Sequence, residues 1–393
     1  MAEKLRVAML GAYPLDTAHI NGGVQAAYSY LVKGLAMTQD LDLHILTIRP
    51  PNYSGADRVE QANLTIHFLP QYPRFERLRN YHIYQSIITQ RLAKIRPDLI
   101  HAQDAGSDAL VALRTGFPTV ITIHGIRLED GKHYSSWIKR LRVYFDSFLT
   151  ERYVVRHARH IIAISPYVTS YFTDILKPDV DIYYIPNAVD ESFFNQVECP
   201  DKQIVLFAGR VIPRKRVMDL VQAFEQVLHQ VPGAALHIAG ETNTEPAYVE
   251  SIKKWAHERN LDDRVKFLGP LSEVSILQEF SSCSIVALPS AQETAPMVIA
   301  QAMAAGKPVV ATRVGGVADM VGEDSDRGLL VNVGDIDALA TTLTRLLENP
   351  GLSQKMSQNG KAFAQKNYDI LNVAQRTIEV YHRIACKEHK VHA

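Results

Sequence analysis

The chain reads as a two-part α/β protein, each part a largely parallel sheet covered by helices, and three observations carry that reading. Short apolar, β-branched runs alternate with longer amphipathic stretches along the whole sequence, the pattern of βα units around parallel strands. At 393 residues the chain exceeds what one hydrophobic core usually supports, which predicts two domains. Between Pro186 and Asp201 lies PNAVDESFFNQVECPD, polar, with two prolines and no clear period, which predicts a linker.

In the first part, strands are predicted at Arg6–Leu10, Leu43–Ile48, Thr65–Leu69, Leu99–His101, Thr119–His124, His160–Ile164 and Ile182–Ile185. In the second they fall at Ile204–Ala208, Ala235–Ala239, Val265–Leu268, Ser284–Leu288, Pro308–Thr312 and Gly328–Val331. A helix starts near Pro296 and stops at Gly306, because proline suits a first turn and glycine an exit. Helical patterns continue from Asp335 to about Gln365, and a last helix spans about Leu371 to Lys387. That helix follows the final strand and is free to cross back over the first part. The simplest architecture is two Rossmann-like domains, residues 1–186 and 201–370, facing an interdomain cleft, with residues 371–393 packing as a crossing helix on the N-terminal domain.

Lysine plus arginine and aspartate plus glutamate both number 42, so no global charge recruits nucleic acid. Cys199, Cys283 and Cys386 are odd in number and far apart, against a disulfide framework or a zinc ribbon and in favour of a reducing compartment. The sequence starts without the apolar stretch of about 7–15 residues that a signal peptide needs, and no run nears the roughly 18 of a membrane span. A cytoplasmic protein is expected. Within Gly125–Arg159, Trp137, Ile138, Leu141, Tyr144, Phe145, Phe148 and Leu149 recur at helical spacing, with Lys139, Arg140 and Arg142 interleaved. The simpler expectation is that this stripe packs on the first sheet. The alternative is peripheral contact with the inner membrane surface.

Chemistry concentrates in the loops that follow predicted strands. After the first strand, Gly22 and Gly23 precede an amphipathic helix carrying Tyr28, Leu31 and Leu35. This is not the G-x-G-x-x-G of a dinucleotide site, which disfavours an NAD-dependent oxidoreductase. In IVLFAGRVIPRKR, Arg210 and Lys215 lie between a buried strand and a helix, where two cations suit a diphosphate. Read alone, Arg214, Lys215 and Arg216 are a solvated charge run; read with Glu293 at the same sheet end, the loop favours the diphosphate reading of Arg210 and Lys215. The stretch LPSAQETAPMVIAQAMAAGKPVVATRVGG sets Glu293 and a helix start beside two buried strands, where open α/β sheets bind ligands and backbone N–H groups hold phosphate. His124 closes the strand TVITIH, and Asp104, Ser165 and Asn187 stand at other strand ends.

Taken together, GRVIPRK, the Glu293 stretch, the NGG turn, ITIHG and IPNAVD resemble the retaining glycosyltransferases of family 4, which have the GT-B fold. The resemblance runs in matching order over almost the whole chain. It implies that Arg210 and Lys215 bind the donor diphosphate, that Glu293 meets the sugar hydroxyls, and that residue 301 holds the ribose. It places His124 near the donor sugar and Asp104, Ser165 and Asn187 in the cleft. It also brings Gly22, Gly23, Gly209, Thr294, Ala295, Pro296, Met297 and Val298 to the donor.

Three positions depart from the family pattern. Gln301 replaces the second glutamate of E-x7-E, and an amide offers one acceptor group where a carboxylate offers two oxygens. Ala295-Pro296 replaces Phe-Gly, and the proline removes a backbone donor. Arg216 stands where glycine usually follows the lysine.

The implied reaction moves a hexosyl group from a UDP- or GDP-linked sugar to a glycan, glycolipid or small-molecule hydroxyl, with retention. No Asp-x-Asp motif appears, so neither a metal nor a cofactor is expected. The departures keep a non-catalytic nucleotide-sugar-binding protein as the alternative. A two-carboxylate glycoside hydrolase is disfavoured because no carboxylate pair converges.

Overall fold

The computed structural model describes residues 4–15, 20, 22–51, 53–73, 76–134, 136–196, 203–322 and 324–391. Among the described residues, fourteen strands form two sheets. The first contains β1 (Leu5–Leu10), β2 (Leu41–Ile48), β3 (Arg58–Gln61), β4 (Leu64–Leu69), β5 (Leu99–Gln103), β6 (Thr119–Ile123), β7 (His160–Ala163) and β8 (Asp181–Tyr184). Their spatial order is β3-β4-β2-β1-β5-β6-β7-β8. The second contains β9 (Ile204–Ala208), β10 (Ala235–Ala239), β11 (Val265–Gly269), β12 (Ile285–Leu288), β13 (Val309–Thr312) and β14 (Gly328–Val331), ordered β11-β10-β9-β12-β13-β14.

Every pairing is parallel except that of β3 with β4. The sequence reading omits β3. Its residues RVEQ are mostly exposed and lack the apolar run that marks a buried strand, and pairing on one edge alone explains why. β5 also runs two residues beyond the predicted Leu99–His101, which brings Gln103 into the strand on the same face as His101.

Strand order reverses at two places, between β1 and β5 and between β9 and β12. In an open parallel sheet the crevice for a ligand opens beyond the carboxyl ends of the strands at such a reversal. The loops leaving β9 and β12 carry Lys215 and Glu293, and the loops leaving β1 and β5 carry Gly22–Gly23 and Asp104.

The helix Met297–Ala304 is buried on nearly every side, so its MVIAQAMA sequence shows no polar face. It ends in the motif its glycine predicts. Gly306, at φ 67, lets its own N–H donate to the Met303 carbonyl and that of Lys307 to Ala302, satisfying the last-turn carbonyls. The final helix, Ile370–Val391, packs back on the first half. Gly34 of the helix Gly23–Met37 lies so close to Ile370 that a Cβ there would stand 2.7 Å from its carbonyl oxygen. Tyr381 reaches the imidazole of His101 in β5.

The described part of the segment read as a linker is held rather than loose. Asp190 caps a short helix, Glu191–Phe194, and receives Lys33 at 2.5 Å. Phe193 is fully buried between Tyr30 and Phe280, and Val189 bridges Asp369. Residues 197–201, Cys199 among them, lie outside the described residues. Cys283 is free and buried, and Cys386 is free and exposed.

The segment around Trp137 overturns the expectation that its stripe is core. The helix Trp137–Asp146 buries none of its residues, and Trp137, Ile138, Leu141, Tyr144, Phe145, Phe148 and Leu149 are all exposed. Ile126, Val154 and Val155, on either side of it in the sequence, are the residues buried in the core of the first half.

Candidate functional site

The loop after β9 folds into a 3-10 turn, Pro213–Lys215, and Ala291 in the loop after β12 donates to the Arg214 carbonyl at 2.8 Å. This backbone bond brings the two loops together. Lys215 Nζ donates to Glu293 Oε1 at 2.5 Å, and Arg214 Nη1 stands 3.6 Å from the same oxygen. Arg214 Nη1 also donates to the Gln292 carbonyl at 2.5 Å. Burial alone would raise the Glu293 carboxyl, but Lys215 and Arg214 outweigh it and hold it below the ordinary carboxylate range. Burial and the neighbouring Arg214 also pull the Lys215 ammonium below its usual value despite Glu293. Burial is the larger cause for the lysine, since Glu293 and Asp130 together offset the charges of Lys215 and Arg214.

Arg216, just past the lysine, takes φ 49, the left-handed region that glycine enters without cost. Its guanidinium pairs with Asp219 at 2.6 Å, away from Glu293. The departure at this position is therefore a local backbone matter. Two glycines fix the Glu293 loop from the other side. A Cβ on Gly315 would fall 1.8 Å from the Glu293 carbonyl oxygen, and one on Gly316 2.1 Å from that of Thr294. Only bare backbone fits there.

The facing wall comes from the first half. His124 is buried, and its Nε2 lies 2.8 Å from Gln103 Oε1. Gln103 Nε2 in turn stands 3.1 Å from His101 Nε2, which also meets Thr122 Oγ1 at 2.6 Å, while His101 Nδ1 meets the Tyr381 hydroxyl at 2.6 Å. Burial lowers the His124 pKa despite Asp104 and Asn187 beside it, and it lowers that of His101 to about 3. Both rings are neutral at pH 7. With Nε2 donating to the carboxamide oxygen, Nδ1 of His124 keeps its lone pair.

Polar contacts cross between the walls. Ser165 Oγ, which starts a helix without capping it, donates to the Thr294 carbonyl at 3.0 Å. Asp130 Oδ1 stands 3.5 Å from Arg214 Nε, and Gln292 Nε2 donates to the Tyr167 hydroxyl at 3.2 Å. Asp104 holds φ 73 and pairs with Arg127 at 3.0 Å.

The remaining expected positions gather around this cleft with differing exposure. Thr294, Met297 and Val298 are buried, and Ala295 packs against the cores of both halves. Pro296 caps the helix Met297–Ala304 from extended backbone. Gly23 approaches Met297, and the Gln301 side chain bonds to the Tyr30 phenol on the helix that Gly22 and Gly23 open. Gly209 leads out of β9, with Arg210 exposed beyond it. Arg214 rather than Arg210 reaches Glu293. Sequence reasoning missed Arg214, Asp130, Gln292 and Gln103. Strand alternation, which sets residue 103 on the face of His101, was the available signal for the last. Among the described residues, no group of three or more His, Cys, Asp or Glu is arranged to hold a metal ion.

The chain resembles known proteins over almost its whole length. The family described as Glycosyltransferase Family 4 matches residues 21–193, and Glycosyl transferases group 1 matches residues 189–363. An uncharacterised glycosyltransferase of Methanocaldococcus jannaschii is 28% identical over 354 residues, covering 88% of this chain and 90% of that one. Among solved structures, sucrose-phosphate synthase from Thermosynechococcus elongatus superimposes with a TM-score of 0.82 at 23% identity, covering 98% of this chain and all of its own. Anabaena HepE, solved with UDP and glucose, gives 0.75 at 21% identity over 96% of this chain and 100% of its own. The chain belongs to the family 4 type of glycosyltransferases and has the GT-B fold.

Proposed function

We propose that the chain transfers a hexosyl group, with retention, from a UDP- or GDP-linked sugar to a hydroxyl of a glycan, glycolipid or small molecule on the cytoplasmic side. The carrying observation is the buried cluster of Lys215, Arg214 and Glu293 at the strand-order reversal of the second sheet. In this reading the donor occupies the second domain, residues 201–370, and the acceptor the first, residues 1–186.

The diphosphate competes with Glu293 for Lys215, while Arg210 and Arg214 supply further cations. As the bond from the anomeric carbon to the diphosphate oxygen breaks, its electron pair stays on that oxygen, and these cations stabilise the new charge. Glu293, released from Lys215, accepts hydrogen bonds from the sugar hydroxyls. The acceptor oxygen forms the new glycosidic bond, and its proton passes to the departing diphosphate. His124 faces the sugar from the other wall, and Gly22–Gly23 and Gln301 border the ribose side.

HepE was solved with UDP and glucose, which supports a uridine-linked donor. Thermal-shift measurements with UDP, GDP and ADP test the reading, because a ligand bound to the native state raises apparent stability. UDP or GDP is expected to raise Tm in the native chain and to have a much smaller effect in Lys215→Ala. Equal shifts in both would remove Lys215 from the donor site.

A further inference from the structure

The ridge formed by Trp137–Asp146 and the turn Ser147–Glu151 that follows it carries seven exposed large hydrophobic side chains, and its charges are sorted by face. At 100° per residue, Trp137, Leu141, Tyr144 and Phe145 fall within about 100° of arc, with Arg140 and Arg142 along its two edges. Trp137 is 71% exposed and Phe148 61%. The acidic residues of the ridge point elsewhere. Asp146 pairs with Arg77 at 2.5 Å, and Glu151 is fully buried, accepting from Ser147 Oγ and from the Arg127 backbone N–H. The outward face is therefore apolar flanked only by cations, on a chain whose formal net charge is zero.

We infer that this ridge docks on an anionic lipid surface, with its aromatic face in the headgroup region and Arg140 and Arg142 against lipid phosphates. The charge pattern selects that occupant over a protein. A protein interface core is depleted of charge and needs complementary acids at its rim, whereas an interfacial helix combines aromatic residues with basic edges. The ridge also borders the cleft. Lys139 Nζ lies 3.5 Å from Glu245 Oε1 in the second half, and the helix just before it carries Asp130, which faces Arg214. Among the described residues no helix is long and apolar enough to cross a membrane.

The docking does not depend on the donor reading, and one set of measurements separates them. The chain is floated with phosphatidylcholine vesicles and with vesicles containing about one third phosphatidylglycerol, at low and high salt, beside the double variant Trp137→Ser/Phe148→Ser. The native chain is expected to float with the anionic vesicles at low salt, to be released at high salt, and to ignore the neutral ones. Loss of two aromatic anchors is expected to weaken partition by at least about tenfold, given the burial value of each side chain. Equal flotation of the variant overturns the inference, as does self-association of the native chain, without vesicle binding, that the variant abolishes. Failure of the native chain to bind the anionic vesicles, with its UDP shift intact, sinks the docking alone. A missing UDP shift with vesicle binding intact sinks the donor reading alone and upholds the docking.

Discussion

Across the cleft from the ionic cluster of Arg214, Lys215 and Glu293 stands a wall of neutral groups, His124, Gln103 and His101, joined to Tyr381 by hydrogen bonds of 2.6–3.1 Å. The ionic wall coheres because its carboxylate offsets two buried cations, and an entering polyanion competes for the same cations. The neutral wall is linked side chain to side chain before anything binds, with only His124 Nδ1 lacking a hydrogen-bond partner among these groups. One side of the cleft is thus poised to rearrange around a ligand, while the other is preorganised and anchored to the crossing helix. Charge makes a site responsive here, and a closed hydrogen-bond chain makes it rigid.

The largest expected effect breaks the ionic wall. Lys215→Ala leaves Glu293 buried without its nearest partner, and removing one member of a buried pair costs about 3–5 kcal/mol. The double variant Lys215→Ala/Glu293→Ala is expected to be more stable than the single one, because no uncompensated carboxylate remains. Urea denaturation of the native chain, both single variants and the double variant checks this. Additive losses would mean that the two side chains do not stabilise each other.

A second, smaller effect separates the walls by pH. The folded His101 titrates at about 3, below its ordinary 6.5, so the unfolded chain takes up this proton first and stability falls as pH drops below 6.5. Glu293 has a lowered folded pKa, so its contribution is complete above its ordinary 4.5 and is lost only as pH falls through the folded value. Between those values acid acts on the neutral wall and spares the ionic one. His101→Gln is expected to flatten the slope of stability against pH in this window by about 1 kcal/mol per pH unit. His67, held at about 4, titrates in both proteins and cancels in the difference. Denaturation curves at several pH values measure the slope, and identical slopes would place the proton elsewhere.

The architecture was legible because it rests on local signals. Apolar runs marked thirteen of the strands, and Gly306 marked a helix end that the structure closes with its expected backbone bonds. Lys215 and Glu293 were legible because each sits just past a buried strand. What escaped notice depends on contacts made only in three dimensions. Arg214 looked like surface charge until Ala291 bonded to its carbonyl and drew it under Glu293. The Trp137 stripe looked like core because helical periodicity reports a face and not what covers it. Asp146 and Glu151, which turn inward, are what leave that face basic.

The smallest expected effect concerns the residue that touches both walls. Gln301 belongs to the helix beginning at Met297, beside the ionic cluster, yet its side chain bonds to Tyr30 on a helix of the first half. Burial, with Glu273 and Asp190 nearby, already raises the Tyr30 phenol, so it remains a donor. Gln301→Glu keeps the length of the side chain, replaces the amide that donates to the phenol oxygen by a carboxylate that accepts the phenol proton, and frees a second carboxylate oxygen for a ribose hydroxyl. One added charge-assisted bond, worth about 1 kcal/mol net, is expected to tighten UDP binding about fivefold. Calorimetric titration with UDP reads this directly. An unchanged affinity would assign Gln301 to the contact with Tyr30 alone, and the ribose side of the cleft would then have to be sought among the groups that Gly22 and Gly23 leave uncovered.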